Sequence, residues 1–194
     1  MLRRAFAGRL AAALCLAPLV RPAAAAAPRP GERNTYKADE LVDSGHHFFG
    51  NVSRGLALVV EEAVRRWGEP AGYILGQEGS GAFVGGLRYG EGVLHTRRRG
   101  RGERVYWQGP SVGFDFGGEG ARHMMLVYNL RSAPDLYRRF LEVDGSAYFV
   151  AGFGLTAAMA DDMVIVPIRS GVGLRLGVNV GYLKFTPEPT WNPF

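Results

Sequence analysis

Few side chains in this sequence have the types and spacing that catalysis or metal binding needs. His46, His47, Asp115, Glu119 and His123 are the set from which a metal site or acid–base pair could be built. Adjacent residues on a helix point about 100° apart, so His46 and His47 do not both reach one ion without distortion. Asp115, Glu119 and His123 step by four, the spacing of ligands on one helical face. Gly117, Gly118 and Gly120 lie between them, however, and disfavour a helix there. A solvated turn followed by a partly buried His123 accounts for them more simply, and no metal or other cofactor is expected. Glu78 paired with Glu91, or with Asp115, could serve as the carboxylates of a glycan- or peptidoglycan-acting hydrolase, which work about 5–9.5 Å apart. Both glutamates sit among glycines that read as turns.

Other catalytic signatures fail on spacing. Gly79-Ser80-Gly81 and Gly145-Ser146-Ala147 are turn compositions, and no G-x-S-x-G elbow occurs. G-x-G pairs begin at Gly79, Gly90, Gly152 and Gly171. None continues to a third glycine within a strand-to-helix unit, and with 28 glycines in 194 residues such pairs recur by chance. Nucleotide binding is rejected, and Asp115-Phe116-Gly117 has none of the surroundings of a kinase motif. The sequence therefore points to a protein that is not an enzyme.

One polarised stretch remains. Arg97, Arg98, Arg99, Arg101 and Arg104 surround Gly100 and Gly102, with Tyr106 and Trp107 close behind. Arginines beside aromatic rings suit lipid phosphates or anionic sugars. Arg97, Arg98, Arg99, Arg101, Arg104 and Trp107 are thus the candidate contacts to an anionic ligand. The plainer reading is a hairpin tip whose charge guards against edge-to-edge pairing.

The elements that must carry these residues begin after an export signal. Residues 1–27 have the layout of a cleaved signal peptide: Arg3, Arg4 and Arg9, an apolar run Leu10–Val20, then an alanine-rich end in which Ala23 and Ala25 satisfy a small-x-small site. The apolar run is shorter than the roughly 20 residues of a membrane span. Arg3-Arg4-Ala5-Phe6 partly matches a twin-arginine signal. Four of the 23 basic residues fall in this segment, leaving 19 against 18 acidic ones, so the overall charge of +5 gives no support to nucleic-acid binding. Cys15, the sole cysteine, lies in it too, so the remainder has no disulfide and is held by its core alone.

Residues 28–37 read as a flexible leader, and 38–194 as a single domain. Leu41, Val42, Gly45, Phe48 and Phe49 share one side of a short helix. Val52, Leu56, Val59, Ala63 and Trp67 form the stripe of a second, ended by Gly68-Glu69-Pro70. Asp39 or Asn51 is expected to cap them. Short β runs follow at Tyr73–Leu75, Ala82–Leu87, Gly92–Thr96, Val105–Gln108, Val112–Phe116, Met124–Leu130, Ala147–Phe153 and Met163–Ile168, with a short helix over Ser132–Leu141. The last strand, Leu174–Tyr182, alternates apolar and small or polar residues. About eight antiparallel strands rich in glycine tend to curl or close. The fold class expected is α+β bordering on all-β: a small antiparallel β-barrel of about eight strands with N-terminal helices and one short mid-chain helix. A spanning outer-membrane barrel fits less well, because Pro187, Pro189 and Pro193 interrupt the end of the chain and the runs 124–130 and 163–168 do not alternate.

Taken together, the blocks GHHFFGNVSRGLALVVEEAVRRWGEPAGYILGQEGSGAFVGGLRYGEGVL, WQGPSVGFDFGGEGAR, VPIRSGVGLRLGVNVGYLKFTP and the final WNPF resemble the envelope integrity protein A family over nearly all of the chain after the signal segment. The family comprises small periplasmic proteins of alphaproteobacteria. The resemblance implies an eight-stranded β-barrel in the periplasm, needed for envelope integrity and stress resistance, with no activity assigned. A weaker similarity over about Leu75–Phe153 links the chain to the SYLF lipid-binding domain. It suggests an envelope lipid as partner by analogy only. The expected function is that of a non-enzymatic soluble periplasmic protein whose partner is an envelope lipid or polysaccharide.

Overall fold

The computed structural model of the chain describes residues 34–49, 54–81, 87–110, 121–143, 148–170 and 181–192. Two helices come first, α1 (Ala38–Phe49) and α2 (Arg54–Trp67). Ten strands follow among the described residues: β1 (Gly72–Gly81), β2 (Leu87–Thr96), β3 (Arg99–Pro110), β4 (Ala121–Tyr128), β5 (Arg139–Glu142), β6 (Tyr148–Val150), β7 (Phe153–Leu155), β8 (Ala158–Ala160), β9 (Met163–Ser170) and β10 (Tyr182–Thr186). Around the molecule the order is β4-β1-β2-β3-β10-β5-β8-β9, and β9 pairs back onto β4. The eight strands thus close an antiparallel barrel, and the small hairpin β6–β7 hangs from the second half of β9. Closure removes the free edges that an open sheet of this length would expose.

The period of two decides which residues fill the barrel. Ile74 on β1, Leu94 on β2, Val105 and Trp107 on β3, Met125 and Val127 on β4, Phe140 on β5, Ile165 on β9, and Leu183 and Phe185 on β10 form one buried cluster inside. Leu136, from a single 3₁₀ turn at Ala133–Leu136, plugs one end. The alternate residues Met124, Leu126 and Tyr128 of β4 and Val164, Val166 and Ile168 of β9 face outward, where Leu41, Leu56, Val59, Val60 and Ala63 of the helices cover them. β4 and β9 are therefore buried on both faces, which is why their sequences run uniformly apolar instead of alternating. Gly45 lets the helices approach, since a Cβ there would lie 2.5 Å from Leu56 Cδ2. Lys37 precedes α1, and Glu40 in its first turn reaches back: its carboxylate accepts the Lys37 N–H at 2.9 Å. Asn51 lies outside the described residues.

Trp107 is the largest side chain inside, 1% exposed. Its indole lies where two neighbouring strands carry no side chain: a Cβ on Gly90 would sit 2.1 Å from Trp107 Cε2, and one on Gly76 2.6 Å from Trp107 Cη2. The ring of Phe185 is 6.1 Å away and meets Phe140 edge-on at 5.7 Å. Side chains fill the barrel from the 3₁₀ plug up to this indole.

Two local expectations are corrected. Ser132–Leu141 is not a helix. Asp135 accepts bonds from the Ser132 N–H (3.0 Å) and hydroxyl (2.8 Å), which starts the 3₁₀ turn, and the chain then extends into β5. Leu136 and Phe140 have helical spacing, but Phe140 enters the barrel from a strand that pairs with β10 and β8 and so helps to close it. Ala147–Phe153 is not one strand either. Ala151 (φ 48°) and Gly152 (φ 90°) both have positive φ, as a two-residue hairpin turn with the sheet's twist requires, and divide the run into β6 and β7. Val112–Phe116 lies outside the described residues, and of Ala82–Leu87 and Leu174–Tyr182 only Leu87, Gly181 and Tyr182 fall within them.

Gly90→Ala is expected to destabilise the fold by about 1–3 kcal/mol or more, because a methyl group there overlaps the indole. Gly79→Ala meets nothing within 4 Å and is expected to stay within about 0.5 kcal/mol of wild type. Urea unfolding of the two variants checks the difference.

Candidate functional site

The arginine-rich stretch is the tip of the β2–β3 hairpin, which turns at Arg97 and Arg98. Arg97 is engaged. It pairs with the Glu40 carboxylate, donates from Nε to the Thr35 carbonyl at 2.7 Å, and lies 4.5 Å from the centre of the Tyr36 ring. Arg98 donates to the Arg131 carbonyl at 3.1 Å and so ties the tip to the segment leading into the plug. Arg101 and Arg104 are exposed, and Arg99 opens β3. Trp107 belongs elsewhere: it is buried inside the barrel at the other end of β3. The tip thus gathers the arginines without the indole, and at least Arg97 serves to hold α1 against the barrel.

The carboxylates proposed as a pair are separated by the sheet. Gln77 faces Glu91 across β1–β2, and Glu78 faces Gly90. Glu91 is therefore exposed on the outer face, and Glu78 points inward. Asp115 and Glu119 lie outside the described residues, as do the residues around them. No group of three or more metal-type ligands occurs among the described residues.

What Glu78 meets instead is a buried polar cluster at the barrel end opposite the 3₁₀ plug. The indole Nε1 of Trp107 donates to Glu78 Oε2 at 2.8 Å. His123 Nδ1 is 3.8 Å from the same oxygen, and an Arg169 nitrogen is 3.6 Å from Oε1. Alongside, Arg88 pairs with Glu142, both nearly buried, and also reaches the Tyr182 carbonyl at 3.3 Å. Burial pushes the Glu78 carboxyl up, but the fields of Arg169, His123 and Arg88 and the bond from Trp107 outweigh it and hold the group below the usual carboxylate range. Two carboxylates and two guanidiniums balance in charge, which is how buried ions are tolerated. Arg88, Glu142 and Arg169 are not among the candidates that residue type and spacing single out. Their signal was the inward phase of each strand: Ile74-x-Gly76-x-Glu78, Arg88-x-Gly90-x-Gly92-x-Leu94, His123-x-Met125, Phe140-x-Glu142 and Ile165-x-Pro167-x-Arg169 all carry their charge at the same end.

A second feature lies on the outside of the same strands. Residues 187–192 fold back over β10, β3 and β2, held where the Tyr89 hydroxyl donates to the Trp191 carbonyl (3.3 Å) and Lys184 Nζ to the Asn192 carbonyl (3.2 Å). Between this segment and the sheet is a groove of about 390 Å³, within the usual size of a small-ligand site. Trp191 is 83% exposed, and its ring lies 4.9 Å from that of Tyr89, tilted by 51°.

These features define a small closed antiparallel barrel with a two-helix cover, a filled interior and a groove on its outer wall. The chain belongs to the envelope integrity protein A family, whose profile matches residues 34–194. It is similar to the crystal structure of a β-barrel-like, uncharacterized protein from Brucella abortus. The two are 57% identical and superpose with a TM-score of 0.75, over 82% of this chain and 99% of that one. No curated protein matches it.

Glu78→Gln is expected to cost up to about 3 kcal/mol at neutral pH, since it removes the buried negative charge that faces Arg88, His123 and the partly exposed Arg169. The folded carboxyl lies below its ordinary value of 4.5. Its contribution is therefore present above about pH 4.5 and lost as pH falls through the folded value. Urea unfolding at a series of acid pH values should show a steeper loss for wild type than for Glu78→Gln over that interval.

Proposed function

We propose that the protein is a non-enzymatic periplasmic factor that supports cell-envelope integrity and stress resistance by holding an envelope lipid or polysaccharide on its outer surface. The observation that carries this reading is the filled barrel. Ile74, Met125, Phe140, Ile165, Leu183 and Phe185 pack together inside below Trp107, so the interior is a core and not a cargo cavity. Recognition then falls to the outside. The buried carboxylates Glu78 and Glu142 are held in ion pairs inside the wall, an arrangement suited to structure. The family supports the envelope role. The location rests on the arrangement of residues 1–27.

The polarity of the wall supports a protein that is not itself a spanning barrel. Such barrels are apolar outside and polar within. Here the interior is largely apolar, while Gln77, Glu91, Arg101 and Arg104 are exposed outside. No helix among the described residues is long and apolar enough to cross a membrane.

Deleting the gene should raise sensitivity to detergent and to cell-wall antibiotics. The full chain should restore resistance, and residues 28–194 expressed without the signal segment should not. Unchanged sensitivity on deletion contradicts the envelope role. Rescue by the version without the signal contradicts the periplasmic site of action.

A further inference from the structure

We propose, building on that reading, that the groove under residues 187–192 is a saccharide site and that it takes a neutral sugar unit of an envelope glycan. The first observation is Gln108. It lines the groove, is 1% exposed, and neither its Nε2 nor its Oε1 has a hydrogen-bond partner among the described residues. A buried carboxamide without partners is rare and costly. It offers two donors and an acceptor, the complement of a pair of sugar hydroxyls.

The second observation is the strand register, which sets polar and aromatic groups in rows across the outer wall. Gln77, Glu91, Tyr106 and Thr186 stand directly opposite one another on β1, β2, β3 and β10, and all line the groove. In the next row Gly79, Tyr89, Gln108 and Lys184 stand opposite one another, and Lys184 donates from Nζ to the Asn192 carbonyl at 3.2 Å. Gly79 leaves open space at its position. Trp191, the most exposed large apolar side chain among the described residues, closes the groove beside Tyr89. Aromatic faces next to carboxamide, hydroxyl and carboxylate groups match a sugar ring, which presents C–H patches on its faces and hydroxyls around its edge.

Charge narrows the class. No lysine or arginine among the described residues lines the groove, and Glu91 contributes a negative charge at its rim. A phosphate, a uronic acid or an anionic lipid headgroup would meet the charge of Glu91, while the nearby cation, Lys184, is engaged with the Asn192 carbonyl. A quaternary ammonium fits the aromatic rings and Glu91, but it has no hydrogen-bonding group for Gln108. A neutral saccharide satisfies both observations.

The test uses the chain from residue 28 onward, prepared by export and cleavage, against an immobilised panel of neutral oligosaccharides built from hexoses and N-acetylhexosamines, with calorimetry on those that bind. Phosphocholine and anionic phospholipid vesicles are the competing probes. Binding of at least one neutral oligosaccharide is expected, weakened at least tenfold by Trp191→Ala and by Gln108→Leu. Gln108→Leu removes an unpartnered polar group, so its melting temperature should be unchanged or raised while binding is lost. Trp191→Ala changes an exposed side chain and gives the answer alone if Gln108→Leu does not fold. Absence of neutral-sugar binding at millimolar concentrations overturns the proposal. So does binding undiminished by Trp191→Ala, or Trp191-dependent binding of phosphocholine or vesicles in place of sugars. Failure here together with a deletion phenotype removes the groove and leaves the envelope role. Sugar binding without a phenotype does the reverse.

Discussion

The packing of the Trp107 indole against bare backbone is the constraint on which the rest of the barrel depends. A tryptophan buries roughly 150–250 Å², which at about 25 cal/mol per Å² is on the order of 4–6 kcal/mol before entropy is counted. That gain requires neighbouring strands with no side chain at the same height, and Gly76 and Gly90 supply them on β1 and β2. Gly92 extends the same inward phase, where a Cβ would lie 2.6 Å from the Leu75 carbonyl oxygen. The glycines of this region are thus neither turn residues nor a phosphate cradle. They form the recess that lets an eight-stranded wall close around one large ring.

The indole also divides the interior into two regimes. On one side Phe140, Phe185, Leu183 and the plug residue Leu136 form an apolar core. On the other, Trp107 gives its only N–H to Glu78 and so opens the charged cluster of Glu78, Arg88, His123, Glu142 and Arg169. A buried ionic cluster is weak evidence for added stability, since its desolvation offsets much of its attraction. What it does here is pair opposite charges at the end of the barrel beyond the indole. The helices complete the scheme from outside, covering the outward phase of β4 and β9, and Arg97 of the hairpin tip anchors their start through Glu40 and Tyr36.

Much of this was legible in the sequence. The barrel class, the two helices and the double burial of Met124–Tyr128 follow from hydrophobic period and strand spacing. The split of 147–153 was hidden because the turn uses Ala151 with positive φ instead of an Asn-Gly pair. The mid-chain helix was misread because Leu136 and Phe140 satisfy a helical period while serving two different elements. Site residues were harder still, since a residue's meaning depended on its phase. Glu78 and Glu91 looked alike among glycines, yet register sends one inside and the other out. Trp107 looked like a neighbour of the arginines along the chain, yet strand direction carries it to the far end of the barrel. The outer groove depends on residues 187–192 folding back onto β2 and β3, a contact between distant parts of the chain that no local pattern announces.

The account places structure inside the barrel and recognition on its outer wall, and the three tryptophans of the chain report on that division. Fluorine NMR of protein labelled with 5-fluorotryptophan, titrated separately with the glycan and lipid fractions of an envelope extract, reads each ring independently. The account predicts that the Trp191 signal moves on adding the glycan fraction and moves more than that of Trp107, which borders the groove but is buried. Movement of Trp107 with either fraction, while Trp191 remains unperturbed, would mean that a ligand enters the barrel and would contradict the account.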